Sequence, residues 1–184
     1  IFATGISTFS EGIADDITIN SVIVGKGSGG NTGNTVVGET ALDAITTGTN
    51  NTAVGKDALT AMTTGSLNTA VGRLALSANT TGSLNVAVGE GALELTTGSS
   101  DNTAIGSKSL QNTSTGSQNT AVGNKALQSN TTGADNIAIG DQALDQNTTA
   151  SYNIAVGSYA LHASTTTSSN TAIGYESLSA NTTG

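Results

Sequence analysis

The sequence predicts an all-β chain, a parallel β-solenoid or β-roll of nine 17-residue coils. The first observation is a period. The motif Asn-x-Ala-[Val/Ile]-Gly starts at Asn34, Asn51, Asn68, Asn85, Asn102, Asn119, Asn136, Asn153 and Asn170, always 17 residues apart, with Val36 the one departure at its third place. The second is a companion column of leucines at the ninth place: Leu42, Leu59, Leu76, Leu93, Leu110, Leu127, Leu144, Leu161 and Leu178. The third is punctuation. Gly stands at place 5, and Thr-Thr-Gly or a close relative fills places 13 to 15, so no run is long enough for a helix. A fixed period of this length is the signature of stacked coils.

Residues 1–33 are expected to form a capping segment with short strands, and residues 34–184 the repeat array. After Asp15 and Asp16, the alternation of Ile17 and Ile19, then Val22 and Val24, reads as strand. Such strands would cover the open edge of the first coil. Within each repeat, places 2 to 4 are Thr, Val, Ile or Ala, the composition of a pleated strand. Places 2 and 4 share one face and place 3 has the other; neither carries a charge, so both faces are expected to be covered. Gly at place 5 permits a turn with positive φ. Places 8 and 9 are expected to form a second short strand, and a second turn follows from place 12 through Thr-Thr-Gly. In coil 4, Thr96-Thr97-Gly98 comes one residue early, and Ser99-Ser100-Asp101 restores the phase. Strands stacked at about 4.8 Å make nine coils on the order of 43 Å long. Identical positions then superpose, so the nine Asn form a ladder of amide hydrogen bonds and the nine Leu a core column.

Composition narrows function. The only aromatics are Phe2, Phe9, Tyr152, Tyr159 and Tyr175, so only a thin core can be filled. Charged residues are 10% and hydrophobic ones keep strict register, unlike a disordered linker. The net charge of −8 and the lack of Lys/Arg clusters argue against nucleic-acid binding. No apolar run approaches a membrane span. The absence of Cys removes disulfides and thiolate metal sites. A start at Ile1, without Met, and an end partway through a repeat are read as a fragment of a longer protein.

One Val and one Leu per coil bury too little surface to offset ordering 17 residues. The second apolar face of the strand is therefore expected to pack on other chains, as a parallel homotrimer with either place 3 or places 2 and 4 toward the axis.

Asn-Thr-Ala-Val-Gly-x-x-Ala-Leu followed by Asn-Thr-Thr-Gly resembles the repeats of tail-fibre proteins of tailed bacteriophages, marine and cyanobacterial ones especially. The Ala-[Val/Ile]-Gly-x-x-Ala core is also similar to the head repeat of trimeric autotransporter adhesins, which are left-handed parallel β-rolls. The resemblance covers residues 34–184. It implies a left-handed, trimeric, non-enzymatic structural and adhesive segment: a phage tail-fibre shaft or head, outside the cell, engaged in host attachment. The alternative is a bacterial trimeric surface adhesin. Implied partners are two further copies of the chain and a host-cell surface glycan or protein.

Catalytic constellations are not visible. His162, the only histidine, sits at place 10 and reads as an exposed polar residue. No Ser has an evident base, and no catalytic, cofactor or metal residue is assigned. Val54-Gly55-Lys56-Asp57-Ala58-Leu59 fits the hexapeptide of left-handed β-helix acyltransferases, but those carry three hexapeptides per coil and this chain one. The Gly-Gly-x-Gly-x-Asp calcium nonapeptide is absent, and Gly27-Ser28-Gly29-Gly30 lacks the Gly-Lys-Ser/Thr of a phosphate loop. The Thr-Thr pairs raise ice binding as a third reading, with one Thr per coil facing out. Tyr152, Tyr159 and Tyr175 are candidates for a sugar-stacking surface. Asn79, Asn130 and Asn147 stand in glycosylation sequons and are expected to be bare.

Overall fold

The computed structural model describes residues 17–19, 21–29 and 31–183. Phe2, Phe9, Asp15 and Asp16, and with them much of the 1–33 capping segment, lie outside the described residues. One 11-stranded sheet runs along the molecule with its strands in chain order. β1 (Ile17–Ile19) pairs antiparallel with β2 (Val22–Gly25), which pairs antiparallel with β3 (Thr35–Gly38). From β3 on, every pairing is parallel and steps by one repeat: Thr52 beside Thr35, Ala53 beside Val36, Val54 beside Val37. The later strands are β4 (Thr52–Val54), β5 (Thr69–Val71), β6 (Val86–Val88), β7 (Thr103–Ile105), β8 (Thr120–Val122), β9 (Ile137–Ile139), β10 (Ile154–Val156) and β11 (Thr171–Ile173). The chain is thus an all-β parallel solenoid of about eight turns with a 17-residue repeat. The β1–β2 hairpin occupies the edge of β3 that would otherwise present unpaired backbone groups.

Each coil carries one strand, not the two expected. Places 8 and 9 lie in a turn. The backbone sign explains this: Leu59, Leu76 and Leu93 have φ of 52°, 53° and 52°, and Asp57 and Leu74, two residues before a Leu, have 59° and 60°. A left-handed residue on either side of place 8 curls the chain and cannot lie on a pleat. A non-Gly residue pays roughly 1–2 kcal/mol for this conformation. Stacking overrides that cost, because the curled segments still bond from coil to coil. The Leu59 N–H donates to the Ala75 carbonyl at 3.0 Å, and the Leu76 N–H to the Ala92 carbonyl at 3.0 Å.

The interior is one side chain thick. Place 3 points inward, so Ala53, Ala70 and their equivalents are buried together with the Ala of place 8 and the Leu of place 9. Place 12 completes the layer, with Ile45 and Met62 buried in the first two coils and Asn79, Thr96 and Thr113 in the next three. Thr96 takes the inward place in coil 4, which is how the early Thr-Thr-Gly keeps phase. Because place 3 faces its own coil, the chain covers only that side of the strand. Places 2 and 4 face outward.

Candidate functional site

Three hydrogen-bonded ladders fix the outer face. The first is the Asn column. Each Asn Oδ1 from Asn34 to Asn153 accepts the backbone N–H of the next Asn at 2.9–3.1 Å. The Nδ2 groups of Asn34 through Asn136 donate to the place-15 carbonyl of their own coil at 2.8–3.1 Å. A buried Asn therefore ties each strand both to the neighbouring coil and to its own closing turn. Asn153 breaks the pattern: its Nδ2 has no partner, where Thr167 replaces the usual small residue of place 15.

The second ladder is at place 13. The hydroxyls of Thr46, Thr63, Thr80, Thr131 and Thr148 donate to the equivalent carbonyl one coil on at 2.8–3.1 Å. The first Thr of each pair thus bonds backbone, and the second (Thr47, Thr64, Thr81, Thr132 and Thr149) faces outward, one per coil. The third is at place 16, where the N–H of Ser66, Ser83 and Ser100 donates to the next Ser Oγ at 3.0–3.2 Å. Sequence reading missed this one, although the recurrence of Ser66, Ser83, Ser100, Ser117, Ser151 and Ser168 was there to see. Ala134 has no hydroxyl, and the ladder skips there.

These ladders hold a row of outward β-branched side chains at places 2 and 4. Val71, Ile105, Ile137 and Ile139 are exposed, and Ile173 is 70% exposed. Nothing charged interrupts the row from β3 to β11. Exposed Leu67 and Leu84, at place 17, widen it in coils 2 and 3. Place 4 is Val or Ile in all nine strands and place 2 is Thr in six of them, so the outer face is an uncharged, β-branched strip. Its rim is charged. Lys56 Nζ lies 3.0 Å from Glu39 Oε2, and the Glu39 carboxylate raises the Lys56 pKa; Arg73 lies 2.6 Å from Glu90 Oε1. Both pairs are solvent-exposed, so water and salt screen them and they carry little weight in stability.

The Leu column is fully buried from Leu42 to Leu161, and Leu178 of the last coil is exposed. The three tyrosines do not form one patch. Tyr152 precedes β10, whereas Tyr159 and Tyr175 follow β10 and β11, at the opposite end of the strands. The Glu176 carboxylate raises the Tyr175 phenol above its ordinary range. Asn79, Asn130 and Asn147 are fully buried, so their sequons are closed inside the coil.

His162 is half-buried, not an exposed polar residue. Its Nδ1 lies 2.6 Å from Asp145 Oδ1, and its ring meets the Tyr159 ring edge-on with centroids 5.4 Å apart. Asp145 is buried, and that burial raises its pKa, outweighing the hydrogen bond from Gln146 and the pull of His162. Two like places one coil apart bring the pair together, which no spacing within a single repeat reveals. Among the described residues, no three His, Cys, Asp or Glu side chains gather where a metal could be held. No helix among them is long and apolar enough to cross a membrane. No family model, curated protein or solved structure matches the chain.

Proposed function

We propose that the chain is a non-enzymatic structural and adhesive segment of an extracellular fibre, the shaft or head of a bacteriophage tail fibre engaged in host attachment. The supporting observation is the uncharged outward row at places 2 and 4, continuous over nine parallel strands. On this reading three parallel copies bring that row to a common axis, as a left-handed trimeric roll. Each copy carries a net charge of −8, so an uncharged contact face is where like copies can meet with least repulsion. The charged rim and the exposed Tyr175 stay outside, free to meet a host-cell surface glycan or protein. A bacterial trimeric surface adhesin would use the same architecture.

One observation favours a second reading. Outward Thr at place 2 and Val or Ile at place 4 form a regular array, as at Thr52 and Val54 or Thr69 and Val71. A monomeric ice-binding solenoid would present such an array to ice. Two measurements separate the readings. Antibody against the repeat should decorate fibres projecting from a phage tail; label on a bacterial envelope would move the assignment to the adhesin, and label confined to cytoplasm would overturn both. Thermal hysteresis at high protein concentration would favour the ice-binding reading, and its absence would remove it.

A further inference from the structure

Two left-handed corners flank the strand in every coil, one at place 17 just before the Asn and one at place 7 beyond the Gly. Residues seven apart therefore sit at the same level on opposite ends of one strand. Leu67 and Leu74 flank β5 with φ of 62° and 60°; Asp101 and Lys108 flank β7 with 61° and 58°; Tyr152 and Tyr159 flank β10 with 64° and 58°. At these three of the nine levels the chemistry matches, apolar with apolar, acid with base and aromatic with aromatic, while the other six show no such match. Within one chain these partners cannot touch, because the extended segment between them spans roughly 15 Å. Neither Asp101 nor Lys108 makes an ion pair with another described residue. Leu67 is 53% exposed in a conformation that suits Asn or Asp, so its own fold does not account for it.

We propose that these corners form the seam between copies of the chain, place 17 of one copy meeting place 7 of its neighbour at the same level, so that Leu67 packs on Leu74, Asp101 pairs with Lys108 and Tyr152 stacks with Tyr159. The inference rests on the trimer reading and adds its register and contacts. Rotation about an axis parallel to the coils carries the leading corner of one strand to the trailing corner of the next without changing level. A three-sided arrangement of strands about 16 Å wide puts its centre about 5 Å from each backbone, a gap that short Thr, Val and Ile side chains fill. A two-fold pair would instead stack its sheets about 10 Å apart and hold the corners that far from each other.

Cysteine cross-linking of the full chain, which has no native Cys, tests the seam. Under oxidation the double variant L67C/L74C should give a closed covalent trimer on a non-reducing gel, and L67C alone none. The control L67C/K108C offsets the pair by two levels, about 9.6 Å along the axis, beyond the Cα separation of about 7 Å that a disulfide tolerates. It should cross-link at least ten-fold less. In parallel, D101K should weaken the trimer and D101K/K108D should restore it. A native trimer by light scattering with equal cross-linking of matched and offset pairs would overturn the seam alone. A covalent dimer would overturn the three-fold arrangement, and a monomer the reading beneath it. Far-UV circular dichroism matching wild type identifies variants that keep the coil.

Discussion

Asn85 Oδ1 accepts two hydrogen bonds from Asn102 one coil further on, from the backbone N–H at 3.1 Å and from Nδ2 at 3.2 Å. Both residues are fully buried, so each bond satisfies a polar group that water cannot reach. Asn102→Ala would leave the Gly116 carbonyl and the N–H of Asn119 without these partners, while Asn85 Oδ1 keeps the backbone N–H of residue 102. Unmet buried groups cost about 1–3 kcal/mol each, so the variant, with two of them, should lose roughly 2 kcal/mol or more in urea unfolding. Asn170→Ala, in the partly buried last coil, should lose less.

Gly89 and Gly91 separate two roles of glycine. Gly89 has φ of +135°, and a Cβ there would lie 2.5 Å from the Gly106 carbonyl oxygen of the next coil. Gly91 has φ of +64°, and its nearest obstacle, at 3.1 Å, is the movable Glu94 carboxylate. Gly89→Ala should therefore cost more than the roughly 1–3 kcal/mol of backbone strain alone. Gly91→Ala should cost about 1 kcal/mol, since Leu, Lys and Tyr already occupy the same place in other coils. Thermal melts of the two variants compare them directly.

Burial sets the pH response of Asp145. Its carboxyl is raised above the ordinary value of 3.8, so the folded chain holds this proton more tightly than the unfolded chain does. The contribution of Asp145 to stability is then most favourable below the ordinary carboxylate range, and it declines as pH rises from there through the raised pKa. Asp145→Asn cannot ionise. The Tm of the Asn variant minus that of wild type should be smallest near pH 3 and should increase toward neutrality, an experiment for scanning calorimetry (with about pH 3 and 7 as the end points). The opposite slope would mean that the pair with His162 outweighs burial.

Inner and outer sides of one strand should respond differently. Ala104 is fully buried and Ile105 is exposed. Ala104→Leu overfills a layer one side chain thick and should cost about 1–3 kcal/mol or more. Ile105→Lys should leave the melting of the isolated coil within about 0.5 kcal/mol of wild type, yet place a charge on the proposed axis and dissociate the assembly. Sedimentation velocity beside circular dichroism reads both effects.

The period, the β class and the parallel stacking were legible because each place keeps its residue type from coil to coil. The Asn column was visible for the same reason. What was not legible came from the backbone. Ala58-Leu59 has strand-like apolar character, but left-handed Asp57 and Leu59 make it a turn, since inter-coil bonding outweighs local preference. The Asp145–His162 contact was hidden because it joins places that recur as different residues, Glu94, Gln111, Gln128 and Asp145, down one column. The inward direction of place 3 could not be assigned from alternation alone, which says that two faces differ but not which is covered.

The proposed fibre makes the outward row at places 2 and 4 a contact between copies. Multi-angle light scattering of the purified chain across a dilution series tests it most directly. A trimer gives a persistent mass of about 54 kDa, three times the 18.0 kDa chain. A stable species at 18.0 kDa over the whole series would contradict it.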